Sequence, residues 1–286
     1  MSDMAKVGAL DVAGEPEVVV LPDPEACSRL AAERIAAALT DAVAVRGRAH
    51  WATTGGSTPA GIYRHLATAP LRDNVPWDSV ELWWGDDRFV PRDHPLSNVK
   101  VAADVLLDIG ALSGESGTGS YGVDVGGGRL PGAPIPPANV HPVPVAEAIA
   151  ESHDVDWCAA RYAETLRADG PPGEAGWPVF DIVLLGVGPD GHVLSVFPGS
   201  ATFDRQELAL GVPAPTHVEP HVARVTLNPA VLGVARSVLV VSHGEGKAEI
   251  LGQILRGPRD PRRLPAQLAL RRGATWLLDV AAARNV

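Results

Sequence analysis

Short apolar runs alternate with longer segments of helical periodicity along most of this 286-residue chain, and that alternation restricts the fold more than any single motif. The run EVVVL at Glu17–Leu21 reads as a buried strand. The segment after it, DPEACSRLAAERIAAALTDAVAVRG, reads as a helix: Asp23 caps its start, Pro24 suits its first turn and Gly47 follows its end. Cys27, Ala31, Ile35, Ala38 and Ala42 share one face at helical spacing. HWATT is the next strand, leading through GGSTP to a helix over PAGIYRHLA, and SVELWW is another, followed by a helix over SNVKVAADVLL. Further on come the strands FDIVLLG, RVTL and RSVLVVS, the short helix NPAVLGVA, the helix GKAEILGQIL and a last strand ATWLL. Strands separated by helices build a sheet with helices on both faces. The expected fold is therefore α/β, a Rossmann-like three-layer sandwich whose mostly parallel central sheet is flanked by helices.

One stretch breaks the rhythm. Residues 110–139, GALSGESGTGSYGVDVGGGRLPGAPIPPAN, are rich in Gly, Pro and Ser and show no apolar period, so they read as a mobile surface insertion. The strand–helix pattern resumes beyond them in the same style, which favours an insertion into a single domain over residues 1–286 rather than a linker between two. No internal repeat is visible.

The glycines at Gly186, Gly188 and Gly191 follow an apolar run with the G-x-G-x-x-G spacing of a dinucleotide site. That fingerprint needs a second strand ending in an acid about 20 residues on. Asp204 and Glu207 lie near that distance, yet PGSATFDRQELALG supplies no apolar strand leading to either. Pro189 also sits where a helix should open, and FPGS stops any helix soon after. The reading that remains is a tight loop at the carboxyl end of a strand, where open α/β sheets place their sites. Gly188 and Gly191 are expected to take positive φ there, with Pro189 stiffening the turn and Asp190 and His192 projecting from it. An imidazole, with a reference pKa of about 6.5, accepts a proton from water near neutrality, and a neighbouring carboxylate fixes its tautomer. The competing reading is a capping aspartate and a structural histidine in a turn.

Other segments also carry chemistry. In TTGGSTP, backbone N–H groups at Gly55 and Gly56 and the hydroxyls of Ser57 and Thr58 can hold an anion at a helix start. No Gly-Lys pair follows, so it is not a Walker A loop, and the plainer reading is a capped helix. In WWGDDRFVPRDHPLSN, Asp86, Asp87 and Arg88 follow a strand end. Arg88 can clamp a phosphate with its planar fork, and the aspartates can hold that arginine or bind hydroxyls. The alternative is a surface turn with solvated charges. In GEGKAEIL, Lys247 falls in the first turn of a helix, against the dipole preference, an arrangement a bound anion would balance. Otherwise it is a tolerated surface lysine. His217 and His221 in HVEPH are separated by Pro220, which prevents a one-faced helical display, and a Mg²⁺ role for the aspartates lacks further ligands, so no metal is expected. No G-x-S-x-G elbow appears, which leaves a serine nucleophile without support.

The formal net charge of −10 argues against a general nucleic-acid footprint, while a small anionic ligand needs only local positive charge. Two cysteines, Cys27 and Cys158, fit a reducing cytoplasm. MSDMAKVGALDVAG lacks the build of a signal peptide, and no apolar stretch is long enough to span a bilayer. The expected setting is cytoplasmic, with neither membrane nor nucleic acid as partner.

Taken in order, TGGSTP, WWGDDRFVPRDHPLSN, LLGVGPDGHVLSVFPGS, ARVTLNP and GEGK resemble the 6-phosphogluconolactonases of the pentose phosphate pathway. The resemblance implies hydrolysis of 6-phosphoglucono-δ-lactone to 6-phosphogluconate without metal or organic cofactor, by a monomer or weak homodimer. It implies that His192 activates the attacking water and Asp190 orients it. Arg88 and Lys247, with the turn formed by Gly55, Gly56, Ser57 and Thr58, would hold phosphate or nearby oxygens, and Arg224 and Asn98 would make further substrate contacts. The chain departs from the family at Asp87, where Glu is common, and at Val193 and Leu194, where the family reads Thr-Ala. Two rivals share the theme. A glucosamine-6-phosphate deaminase or isomerase continues into Asn-Glu-Pro after its histidine loop, where this chain has SVFPGS. A non-catalytic sugar-phosphate-binding regulator would need a basic helix-turn-helix, for which the segment before EVVV has no room.

Overall fold

Runs of Val, Leu, Ile and Trp form the strands at the centre of the molecule. The computed structural model describes residues 14–107 and 132–286, so most of the 110–139 insertion lies outside the described residues. The first part contains β1 (Glu17–Leu21), α1 (Pro24–Arg46), β2 (Ala49–Thr53), α2 (Ser57–Leu66), α3 (Leu71–Asn74), β3 (Val80–Trp84), β4 (Asp86–Arg88) and α4 (Asn98–Val105). Beyond the insertion come β5 (Val140–His141), α5 (Val145–Ala150), α6 (Val155–Asp169), β6 (Gly173–Glu174), β7 (Trp177–Pro178) and β8 (Ile182–Leu185). The chain ends with β9 (Ala209–Val212), β10 (Arg224–Leu227), α7 (Val231–Val234), β11 (Val238–Ser242), α8 (Ala248–Arg256) and β12 (Ala274–Asp279).

Seven strands form one sheet in the order β1-β12-β11-β8-β2-β3-β5, with all neighbours parallel. Every residue of β2, β3, β8 and β11 is buried, as parallel strands covered on both faces must be. Trp51 on β2, Trp83 and Trp84 on β3 and Trp276 on β12 are fully buried. From β2 the chain winds outward through β3 to β5, and from β8 it winds the other way through β11 to β12. The reversal between β2 and β8 opens a crevice at their carboxyl ends, and this topology places a ligand there.

Local signals account for the helix ends. The Asp23 carboxylate accepts the Ala26 N–H at 2.7 Å, and Gly47 closes α1 with a φ of 78°. Cys27, Ala31, Ile35 and Ala42 are buried as their spacing predicts, but Leu39 takes the core position beside which Ala38 is only partly covered.

Two expectations need correction, and one helix carries no expectation at all. EVVVL is not a buried strand: β1 lies at the sheet edge, paired only with β12, and Val18 and Val20 are exposed. RVTL does not join the parallel sheet. As β10 it is the centre of a separate antiparallel sheet, β4-β10-β9, pairing Arg224 with Arg88 and Thr226 with Asp86. An apolar run specifies a buried strand but not its partner, which here is the chain just past β3. The helix α6, finally, was not expected from the sequence. Asp154 caps it through the Trp157 N–H at 2.9 Å, and its buried face is Cys158, Ala159, Tyr162, Ala163 and Leu166. Tyr162 donates its hydroxyl to the Trp84 carbonyl at 2.8 Å and accepts the Trp84 N–H at 3.0 Å, which terminates β3 in the core. Among the described residues no helix is long and apolar enough to cross a membrane.

Candidate active site

The loop after β8 closes on itself. Gly188 donates its N–H to the His192 carbonyl at 2.8 Å, and Gly191 donates to the Gly188 carbonyl at 3.1 Å. Gly191 has the expected positive φ, 83°. Gly188 does not. Its requirement is room, because a Cβ at that position would overlap the His192 imidazole.

Within this loop Asp190 Oδ1 accepts the His192 backbone N–H at 3.2 Å and lies 2.5 Å from the ring Nδ1. An ionised carboxylate only accepts, so Nδ1 carries the proton and Nε2 of the neutral ring keeps a lone pair. Burial alone would raise the Asp190 pKa. Hydrogen bonds from the rings of His192 and His217 and from the His192 backbone N–H outweigh it, and hold the carboxyl well below the usual carboxylate range. The His192 ring is not enclosed, its side chain keeping 14% exposure, and it packs against Phe197 with centroids 4.6 Å apart.

On the other side of the crevice, Gly85 separates β3 from β4 and a dense polar network follows. The aspartates do not hold the Arg88 guanidinium by direct ion pairing, contrary to expectation. Asn98 holds it: its Oδ1 accepts Arg88 Nη1 at 2.7 Å, and the Leu96 carbonyl accepts the same nitrogen at 3.0 Å. The Asn98 side-chain amide donates to the Asp86 carbonyl at 2.8 Å and to Asp86 Oδ1 at 3.1 Å. Asp87 Oδ1 accepts the backbone N–H groups of Arg88 and Asn98 at 2.8 and 2.7 Å. Nor is this a solvated surface turn. Asp86 and Asp87 are 3% and 2% exposed, and burial pushes the Asp87 carboxyl up to about 7 against the opposing pull of those two N–H groups. Ser195, from the histidine loop, donates its hydroxyl to Asp86 Oδ2 at 2.6 Å and ties the two halves of the site together.

The turn after β2 fits between them. A Cβ at Gly55 would overlap the Asn98 side chain, and Gly56 takes a φ of 102° as the residue before α2. No side chain caps α2, so its first N–H groups are free of a protein carboxylate or hydroxyl. Gly56 and Ser57 are exposed at the tip, and Thr58 Oγ1 lies 3.0 Å from His243 Nε2.

Two further cations approach Asp190. Lys247 sits in a single 3₁₀ turn immediately before α8 rather than in its first turn, and its Nζ donates to the Val187 carbonyl at 2.7 Å. Burial pulls its pKa down while the Asp190 charge acts in the opposite direction. Arg224 is buried in β10. Burial lowers its pKa, the charges of Asp86 and Asp190 raise it, and its guanidinium carbon stands 5.2 Å from the centre of the Phe197 ring. The residues read from separate motifs thus converge at the ends of β2, β3 and β8.

Several groups at the site carry little motif signal. The sequence pairs His217 with His221 only as metal ligands, but the two diverge: His217 Nε2 meets Asp190 Oδ2 at 2.9 Å, and His221 Nδ1 meets the Pro215 carbonyl at 2.7 Å. His243, Phe197 and Ser195 carried no motif signal of their own. The Val193 departure has a plain outcome. That side chain is fully buried in the apolar core, so it is turned away from the crevice. Leu194 takes a left-handed φ of 54°, and its Cδ2 fills the space where Gly85 has no side chain. The arrangement can draw a proton from water beside an anion held by several cations.

The sequence profile of the family described as glucosamine-6-phosphate isomerases/6-phosphogluconolactonase matches residues 22–277. A 6-phosphogluconolactonase of Streptomyces coelicolor is 34% identical over 95% of this chain and 95% of its own length. One from Synechocystis is 32% identical over 95% of this chain and 98% of its own. The crystal structure of 6-phosphogluconolactonase from Leishmania guyanensis superposes with a TM-score of 0.75 at 29% identity, covering 96% of this chain and 99% of that one.

Proposed function

This chain belongs to the glucosamine-6-phosphate isomerase/6-phosphogluconolactonase family, and on that premise we propose that it hydrolyses 6-phosphoglucono-δ-lactone to 6-phosphogluconate in the oxidative pentose phosphate pathway, using water that His192 deprotonates. The observation that carries this reading is the Asp190–His192 hydrogen bond, which commits Nδ1 and leaves Nε2 as the base. Nε2 takes one proton from water as its oxygen attacks the lactone carbonyl. The tetrahedral intermediate then expels the ring oxygen, which receives that proton back from the imidazolium. Asp190 stabilises the imidazolium between the two steps. A lactone is an activated ester, so no covalent intermediate is needed. A positioned base contributes about 10² to 10⁴ in rate, roughly 3 to 5 kcal/mol.

Arg88, Lys247 and the Gly55–Thr58 turn hold the phosphate and neighbouring oxygens, while Arg224, expected to touch substrate, is buried with its Nη2 on the Pro220 carbonyl at 3.0 Å and contributes positive charge from behind the site. Asn98 serves mainly by orienting Arg88. The grip on non-reacting atoms supplies positioning. Pairing of β1 with β12 joins the two ends of the described chain in one sheet, which supports a single lactonase domain. One chain carries every group named, which suits a monomer or weak homodimer. Cys27 and Cys158 are unpaired and buried, in keeping with a cytoplasmic protein.

The test is a lactone-hydrolysis assay corrected for spontaneous ring opening, on the wild-type protein and His192→Ala. The variant is expected to lose about 10² to 10⁴ in kcat while keeping its fold and substrate binding. Undiminished turnover would remove His192 from the mechanism. An inactive wild type that instead releases ammonia from glucosamine 6-phosphate would replace the reaction.

A further inference from the structure

Asp190 has two carboxylate oxygens and the two take different imidazoles. Oδ1 meets His192 Nδ1 at 2.5 Å, and Oδ2 meets His217 Nε2 at 2.9 Å. His217 comes from the segment between β9 and β10, 27 residues along the chain from Asp190. Both imidazoles also pack on one ring: His192 lies 4.6 Å from the Phe197 centroid, and His217 stands edge-on at 5.8 Å and 86°. Arg224 covers the same phenyl ring. His192, Asp190, His217 and Phe197 therefore form a closed circuit around the base.

We infer that His217 is a positioning residue of the lactone hydrolysis, clamping the second oxygen of Asp190 so that the first stays aimed at His192. The inference rests on the lactonase reading above. A carboxylate held at one oxygen can turn about its side-chain torsion, and each departure releases the His192 tautomer that catalysis needs. Asp190 must be the acceptor in both bonds, which places a proton on His217 Nε2. The other charged groups acting on Asp190 are Lys247, before α8, and Arg224, on β10. His217 keeps half of its side-chain exposure, so its loss leaves no buried void.

The experiment compares wild type, His217→Ala and His217→Gln in lactone hydrolysis across pH, together with thermal unfolding. In His217→Ala, kcat should fall about tenfold, the size of a hydrogen bond to a charged group, with KM nearly unchanged. The acidic limb of its kcat/KM profile should move to lower pH, because an unclamped Asp190 spends part of its time turned from His192 and stabilises the imidazolium less. His217→Gln, which restores an N–H donor, should recover most of kcat and return the limb towards its original position. An alanine variant with wild-type kcat and profile overturns the inference. So does a loss of kcat that comes with a lowered Tm and an unmoved limb, or a glutamine variant no better than alanine. A wild type that fails to hydrolyse the lactone marks instead the failure of the functional reading itself.

Discussion

Asn98 and Arg88 act as one unit: the amide oxygen of Asn98 takes Arg88 Nη1 at 2.7 Å, while the amide nitrogen is spent on Asp86. The guanidinium is thereby oriented by a neutral group rather than cancelled by a carboxylate, and its positive charge stays available to an anionic ligand. Arg88→Ala should therefore raise KM for the phosphorylated lactone about tenfold or more, with a smaller effect on kcat. Arg88→Lys should rescue little, since an ammonium cannot reproduce the planar fork. Steady-state kinetics check both, and an unchanged KM in the alanine variant excludes Arg88 from the grip.

Asp190→Asn keeps the shape of the loop but lets an amide nitrogen face Nδ1, which disfavours the productive tautomer. A fall in kcat of about 10² to 10⁴ is expected, with substrate binding largely retained. Pre-steady-state binding measured alongside turnover separates the two effects.

Gly188 and Gly191 differ in kind, and alanine substitutions should show it. At Gly188 a methyl group would displace the His192 ring, so kcat should drop by about 10² with a modest change in Tm. At Gly191 the φ of 83° makes any side chain strained, and the cost of about 1 kcal/mol or more should register in stability. Thermal unfolding paired with kinetics on the two variants would reveal a swapped pattern, which is the contrary result.

Asp87 gives the protein a pH-dependent stability. Burial raises its carboxyl to about 7, so the folded state prefers it protonated. Below about pH 4 it is protonated whether folded or not, and its contribution is intact. As pH rises from there to about 7 the unfolded chain ionises first, and stability is progressively lost. Asp87→Asn keeps an oxygen for the Arg88 and Asn98 N–H groups without a titrating proton. It should match wild type near pH 4 and exceed its Tm by about 3 °C or more at pH 8. Equal Tm differences at both pH values would contradict the assignment.

Much of this molecule was legible in the residues. The cap at Asp23, the glycine closing α1, the strand runs and the loop that presents Asp190 and His192 all depend on relations within a few positions, and these survive in any tertiary setting. A dinucleotide site fails on the same local logic, since no strand leads to Asp204 or Glu207, and the strand that follows them, β9, pairs antiparallel with β10 instead of completing a βαβ unit. The small residues and charges of α6 hid its amphipathic face, and β10 looked like any other buried strand.

What the amino-acid order determined by itself was the set of elements and the residues at their tips, since helix and strand formation answer to spacing along the chain. Only the tertiary structure decided which strands became neighbours and that Asp87 is buried. It alone brought Ser195 to Asp86, 109 residues away, and His217 to the second oxygen of Asp190. Such contacts close long loops, and their energies come from packing and desolvation at a shared site, which no local pattern encodes.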